Sequence, residues 1–120
     1  MSRRLVLIAA IALAVPAMAQ DAENGAAVFK RCAVCHSIKA GSGPSIGPVL
    51  AGVVGRKAGS QSDFPYSKAM SEVGLVWDAA TLDAFVTKPQ SVVKGTKMTF
   101  PGLPDAKDRA DLIAYLATLK

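Results

Sequence analysis

Cys32-Ala33-Val34-Cys35-His36 carries more chemistry than any other stretch of this chain. Two thiols lie three residues apart and an imidazole follows directly. Upstream, Val28 and Phe29 fall one turn after Gly25, so a helix is expected from about Ala22 to Ala33. At its end the two thiols stand about one turn apart on the same side. Thiols so placed can add across the two vinyl groups of a single haem, and C-x-x-C-H is the pattern of covalent haem attachment. His36 then presents its imidazole to the iron. It is the only histidine, and no third cysteine is left over. Other uses of the pair fit less well. A thioredoxin-like dithiol needs a βαβ setting, and no segment alternates convincingly as a strand. A structural zinc site needs four ligands, and two Cys with one His supply three. A plain disulfide gives no reason for the adjacent histidine.

The chain is 120 residues long, 51 % hydrophobic and only 6 % aromatic. That length corresponds to about one domain and excludes a multidomain enzyme or a TIM barrel. The apolar residues are unevenly spread. Leu5 to Val15 is an unbroken apolar run behind Arg3 and Arg4, and Pro16 and Ala17-Met18-Ala19 follow. A basic start, a short apolar stretch and a small-x-small end read as a secretory signal peptide over residues 1–19, cleaved after Ala19. A membrane anchor needs about 20 apolar residues, which this run does not reach. Residues 20–120 then form the mature domain. Without Arg3 and Arg4 the formal charge falls from +5 to +3. No basic stretch is interleaved with aromatics, so nucleic acid is not an expected partner. A mildly basic, exported, soluble domain without a membrane span suits an acidic protein surface.

Three main helices can be placed, which makes the fold class all-α. The first carries the thiols. The second opens after Trp77 with Asp78 as N-cap, places Leu82, Phe85 and Val86 at helical spacing, and stops at Pro89. The third starts near Asp105 and bears the stripe Leu112, Ile113, Leu116 and Leu119. A short helix over Ser67 to Glu72 is weakly signalled. Between them lie two irregular stretches, Ala40 to Ser62 and Gln90 to Pro104, the first holding six of the ten glycines. A structureless loop of more than about 15 residues is out of place in a compact domain unless something organises it. A large rigid cofactor accounts both for the loops and for the shortage of aromatic core.

His36 supplies one axial ligand, and Met/His ligation is the arrangement of cytochromes c. Met1 and Met18 belong to the leader, which leaves Met70 and Met98. Met98 sits in an irregular stretch bounded by Gly95, Pro101 and Gly102, which can bring a thioether to an open haem face. An ordinary core methionine there, or a five-coordinate haem, is equally compatible with the spacing.

At these residues the chain resembles the class I cytochromes c, in particular the soluble bacterial type similar to mitochondrial cytochrome c. The resemblance runs from about Gly25 to Leu116. It rests on Phe29 before the C-x-x-C-H motif, Gly47-Pro48-Val49-Leu50-Ala51-Gly52-Val53-Val54-Gly55-Arg56, Phe64-Pro65-Tyr66-Ser67, Trp77, Pro89, Gly95-Thr96-Lys97-Met98-Thr99-Phe100 and Asp111-Leu112-Ile113-Ala114-Tyr115-Leu116. It implies a small cytochrome c fold, with three helices and long loops around one covalent haem c. In that fold Cys32 and Cys35 make the thioethers, and His36 and Met98 bind the iron. Pro48 offers its carbonyl to the other His36 nitrogen. Arg56, Tyr66 and Trp77 hydrogen-bond a buried propionate, Phe100 covers the haem edge, and Gly25 meets Tyr115 where the first and last helices cross. Three positions depart from the family pattern. Phe85 replaces a common tyrosine, Met70 replaces an asparagine that holds a buried water, and Lys94 stands where many relatives have proline.

The expected function is a monomeric periplasmic electron carrier and not an enzyme. It would shuttle one electron between respiratory or photosynthetic redox partners, steered to acidic docking surfaces by Lys39, Lys97, Lys94 and Arg31. The competing expectation is a haem enzyme or sensor with a labile sixth ligand. Neither an acid–base group nor a spare histidine is evident for that role.

Overall fold

The computed structural model describes residues 20–120, and the expected signal peptide over residues 1–19 lies outside them. Among the described residues the regular elements are α1 (Ala22–Phe29), α2 (Lys68–Glu72), α3 (Ala79–Thr87), α4 (Pro89–Val92) and α5 (Ala106–Thr118). No strand forms among them. One isolated antiparallel bridge joins Lys57 to Val76, and none of these helices is long and apolar enough to cross a membrane.

Helix starts follow local side-chain chemistry. Asp21 caps α1, accepting from the backbone of Glu23 and Asn24 at 2.9 and 3.1 Å. Asp78 and Thr81 form a reciprocal capping box at the start of α3. Ser67 caps the weakly signalled α2, and Asp105 caps α5. One boundary differs from the sequence expectation, and one short element was not foreseen. Regular α1 ends at Phe29 rather than near Ala33, and tight turns continue the coil, with Cys32 N–H donating to Phe29 and His36 N–H to Cys32. Pro89 does end α3, because the residue before a proline is driven out of the helical region. Lys88 is extended, at φ −161°. The same proline then opens α4, where its fixed φ and missing N–H suit the first helical position.

α1 crosses α5 at close range, and Gly25 is the reason. A Cβ on Gly25 would collide with the backbone of Asp111 and lie 2.7 Å from the Tyr115 Cβ. The rings of Phe29 and Tyr115 pack beside this crossing at 5.6 Å. Asp111, fully buried, fastens it. Its carboxylate accepts from the Asp21 backbone at 2.8 Å, from Asn24 Nδ2 at 2.7 Å and from Lys107 Nζ at 2.6 Å. Lys107 above all, with Asp21 and Asn24, holds the Asp111 carboxyl down at about 2. The remaining core, including Leu82, Phe85, Val86, Leu103, Leu112 and Leu116, lines the inner sides of α3, α5 and the long loops.

Candidate functional site

The helices and loops enclose an apolar cavity of about 380 Å³. Native interiors are close-packed, with few voids larger than a water molecule, so a space of this size in so small a domain is built for an occupant. Ligand cavities begin at roughly this volume. Cys32, Cys35, His36, Pro48, Arg56, Tyr66, Trp77 and Met98, the eight residues singled out from the sequence, all stand on its wall. Phe29, Leu82, Phe85, Phe100 and Leu112 supply much of the apolar remainder.

His36 is set by two neighbours. Its Nδ1 lies 2.7 Å from the Pro48 carbonyl oxygen, which makes Nδ1 the protonated nitrogen and leaves Nε2 with its lone pair free. Gly47 lies against the imidazole so closely that a Cβ there would be 2.5 Å from His36 Cε1. The turn is tied down by Gly47 N–H donating to the Cys35 carbonyl at 2.8 Å and by Leu50 N–H donating to Ser37 at 2.9 Å. Burial pushes the imidazole below its ordinary pKa. The Pro48 bond opposes that shift and the Arg56 charge adds to it. A neutral imidazole with one free nitrogen is the form that ligates a metal. Burial likewise raises the Cys32 thiol, against the charge of Arg31.

Arg56 and Trp77 are brought side by side by backbone pairing across the Lys57–Val76 bridge. Trp77 N–H donates to the Arg56 carbonyl at 2.9 Å and Gly55 N–H to the Trp77 carbonyl at 2.7 Å. The Arg56 guanidinium donates to the carbonyls of Ala51 and Val49 at 3.2 and 2.9 Å. Tyr66 accepts from Gln61 N–H at 3.3 Å, and its ring packs edge-on to Phe64. The guanidinium is thus oriented by two backbone carbonyls, and desolvation lowers its pKa. Trp77 packs on Phe85 at 4.9 Å, so Phe85 is part of an aromatic wall of the cavity.

Met70 shares the cavity wall with Met98. Of the basic residues expected around the edge, Arg31 and Lys97 border the cavity, whereas Lys39 and Lys94 are exposed beyond it. Lys97 does more than carry charge: its ammonium donates to the Pro65 carbonyl at 3.1 Å, joining the Met98 loop to the Phe64–Tyr66 loop. Sequence reasoning also passed over Gln90, on the unforeseen α4. Its carboxamide bonds the backbone at Gly95 and Thr96, and the only signal for it was the proline in front.

Haem fits this donor set. Paired thiols and a tautomer-fixed imidazole share a wall with a thioether, an apolar interior can hold a flat ring, and an arginine, a tyrosine and an indole are at hand for carboxylates. A helical chain closed over such a cavity defines a c-type haem protein. The chain belongs to the cytochrome c family, whose sequence profile matches residues 22–120. It is 52 % identical over 100 residues to the cytochrome c2 of Rhodomicrobium vannielii, covering 83 % of this chain and 80 % of that one. Identity to the cytochrome c2 of Rhodoblastus acidophilus is 49 % over 102 residues, covering 85 % and 95 %. Among solved structures, cytochrome cH from Methylobacterium extorquens superposes with a TM-score of 0.77 at 42 % identity, covering 82 % of this chain and 98 % of that one. The chain is an electron carrier with covalently bound haem c, not an enzyme, and its work requires redox partners.

Proposed function

We propose that this chain is a soluble, monomeric periplasmic carrier whose single haem is held by thioethers from Cys32 and Cys35 and ligated by His36 and Met98. The observation that supports it best is the convergence of both thiols, the Pro48-bonded imidazole and the Met98 side chain on one apolar cavity. When bound, haem c supplies a one-electron couple at iron. The protein's residues do the rest. The Pro48 carbonyl keeps the imidazole in one tautomer and makes it a better donor. The Met98 thioether is a neutral, soft ligand that favours the reduced state. Arg56, Tyr66 and Trp77 take the propionate on the inner side, and the apolar wall excludes water, so ligands and charges stay in place as the oxidation state changes.

Export by a leader cleaved after Ala19 places the protein in the periplasm, where it meets acidic docking surfaces of respiratory or photosynthetic complexes. Two measurements test the reading together. Purified protein should give an alkaline pyridine haemochrome spectrum of the type in which both vinyl groups are saturated. In the ferric state it should show the weak far-red band of sulfur-bound iron, lost in Met98→Ala and kept in Met70→Leu. The reverse outcome for the two methionines overturns the ligand assignment.

A further inference from the structure

The single turn α4 carries one long polar side chain, and that side chain reaches the segment bearing Met98. Gln90 Nε2 donates to the Thr96 carbonyl at 2.9 Å, and Gln90 Oε1 accepts from Gly95 N–H at 3.2 Å. The amide orientation follows from the partners, since exchanging its oxygen and nitrogen would set donor against donor and acceptor against acceptor. Among the described residues no other side chain bonds the backbone polar groups of Gly95 or Thr96.

Thr96 transmits this grip. It is buried, its N–H donates to the Val93 carbonyl at 3.0 Å, and its hydroxyl accepts from Met98 N–H at 3.3 Å. Beyond Met98 the next backbone anchor is Leu103, whose N–H donates to the Val86 carbonyl at 2.8 Å. Met98 is therefore placed from its upstream side, by Thr96 and by the Lys97 tie to Pro65, and Thr96 is held by Gln90 together with the Val93 carbonyl. Gly95 has φ +89°, so this turn has a conformation that most residues avoid and a flexible residue at its centre. A clamp across such a turn restricts how far the thioether can swing.

We propose that Gln90 is a positioning residue for Met98, its carboxamide locking the Gly95–Thr96 turn so that the thioether stays on the cavity wall. The proposal rests on the His36/Met98 reading above. Gln90 is exposed and does not border the cavity, so replacing it leaves the core and the haem contacts intact.

The test is titration of the ferric holoprotein with imidazole, which has to displace the thioether, followed by loss of the far-red sulfur band. Gln90→Met keeps the side-chain length and removes both bonds. It should take up imidazole roughly three- to tenfold more tightly, the equilibrium equivalent of about one net hydrogen bond. Ser91→Ala, on the same turn, should leave the curve unchanged. A Gln90→Met curve that overlays that of the unsubstituted protein, or an equal shift in Ser91→Ala, overturns the proposal. A missing sulfur band in the unsubstituted protein overturns the Met98 ligation itself, and the role of Gln90 with it.

Discussion

The imidazole of His36 donates from Nδ1 to the carbonyl oxygen of Pro48, 2.7 Å away and twelve residues along the chain. The bond survives only while the loop between them passes directly beneath the ring, and Gly47 allows that passage. A Cβ at 2.5 Å from Cε1 cannot be accommodated without moving the ring or the loop. Gly47→Ala should therefore weaken the His36–iron bond, read as a high-spin fraction in the ferric absorption spectrum and a raised reduction potential, since a poorer donor supports ferric iron less, or as poor haem retention. A low-spin spectrum and potential identical to the parent's would refute this.

The double variant Cys32→Ala with Cys35→Ala should leave a largely unfolded chain after export. A covalent cofactor completes the core of the folded state, and without it the cavity of about 380 Å³ stays unfilled and its walls lose their packing. Far-ultraviolet circular dichroism and thermal melting are the measurements, and a colourless variant with a cooperative melt sinks the expectation.

Asp111 makes acid stability predictable in sign. Its carboxyl sits at about 2 in the fold against an ordinary value of 3.8. A depressed carboxyl adds stability that is complete above the unfolded value and lost as pH falls through the folded one. Asp111→Asn should lower stability at neutral pH, and it should flatten the decline between about pH 4 and pH 2. Urea midpoints across that range decide it. A variant whose decline is as steep as the parent's shows that other carboxyls dominate.

Docking should depend on where the lysines stand, because residues 20–120 carry a formal charge of only +3. Raising ionic strength to 0.15 M shortens the Debye length to about 8 Å, so association with an acidic redox partner should slow. Lys39→Glu should slow it further at low salt, and Lys120→Glu should not. Lys97→Glu is expected to do more than reverse a charge, since it also cuts the bond to Pro65. Stopped-flow rates that ignore salt point to an apolar dock, for which the exposed Val34 and Ile46 at the cavity rim are available.

Phe85 offers no hydrogen bond to its surroundings, and it packs on Trp77 at 4.9 Å on the cavity wall. Phe85→Tyr should place a hydroxyl near the Met98 side of the cavity and withdraw electron density from the sulfur. A net bond of about 0.5–1 kcal/mol corresponds to a rise of roughly 20–40 mV for a one-electron couple. If the hydroxyl finds only apolar neighbours, stability falls by about 1–3 kcal/mol instead and the potential stays put. Measuring midpoint potential and unfolding free energy on the same variant separates these outcomes.

The all-α class, the Asp78 cap and the start of the last helix near Asp105 were legible in the sequence, because each depends on local periodicity or a short-range hydrogen bond, whereas the Gly25–Tyr115 crossing came from the resemblance. The wall residues came from the resemblance more than from spacing. Arg56 in a glycine-rich loop reads as surface charge until the pairing of residues 55–58 with 75–77 turns it inward. The α4 turn and Gln90 were missed because a proline was read only as a stop. The bond from Lys97 to Pro65 O was not foreseen, because the acceptor lies 32 residues away, beyond the reach of any local pattern. Nothing near Asp111 in sequence foretold its bond to the Asp21 backbone.

That last contact, between residues 90 positions apart, also orders events in the life of the chain. The segment bearing Cys32 and Cys35 cannot dock its helix until residues 106–118 have been made and delivered. Closing so long a loop is slow compared with local turns. For that interval α1 and the two thiols just beyond it lack their packing partner, and arrival of the last helix, with Leu112 and Leu116, completes the wall of the cavity around them.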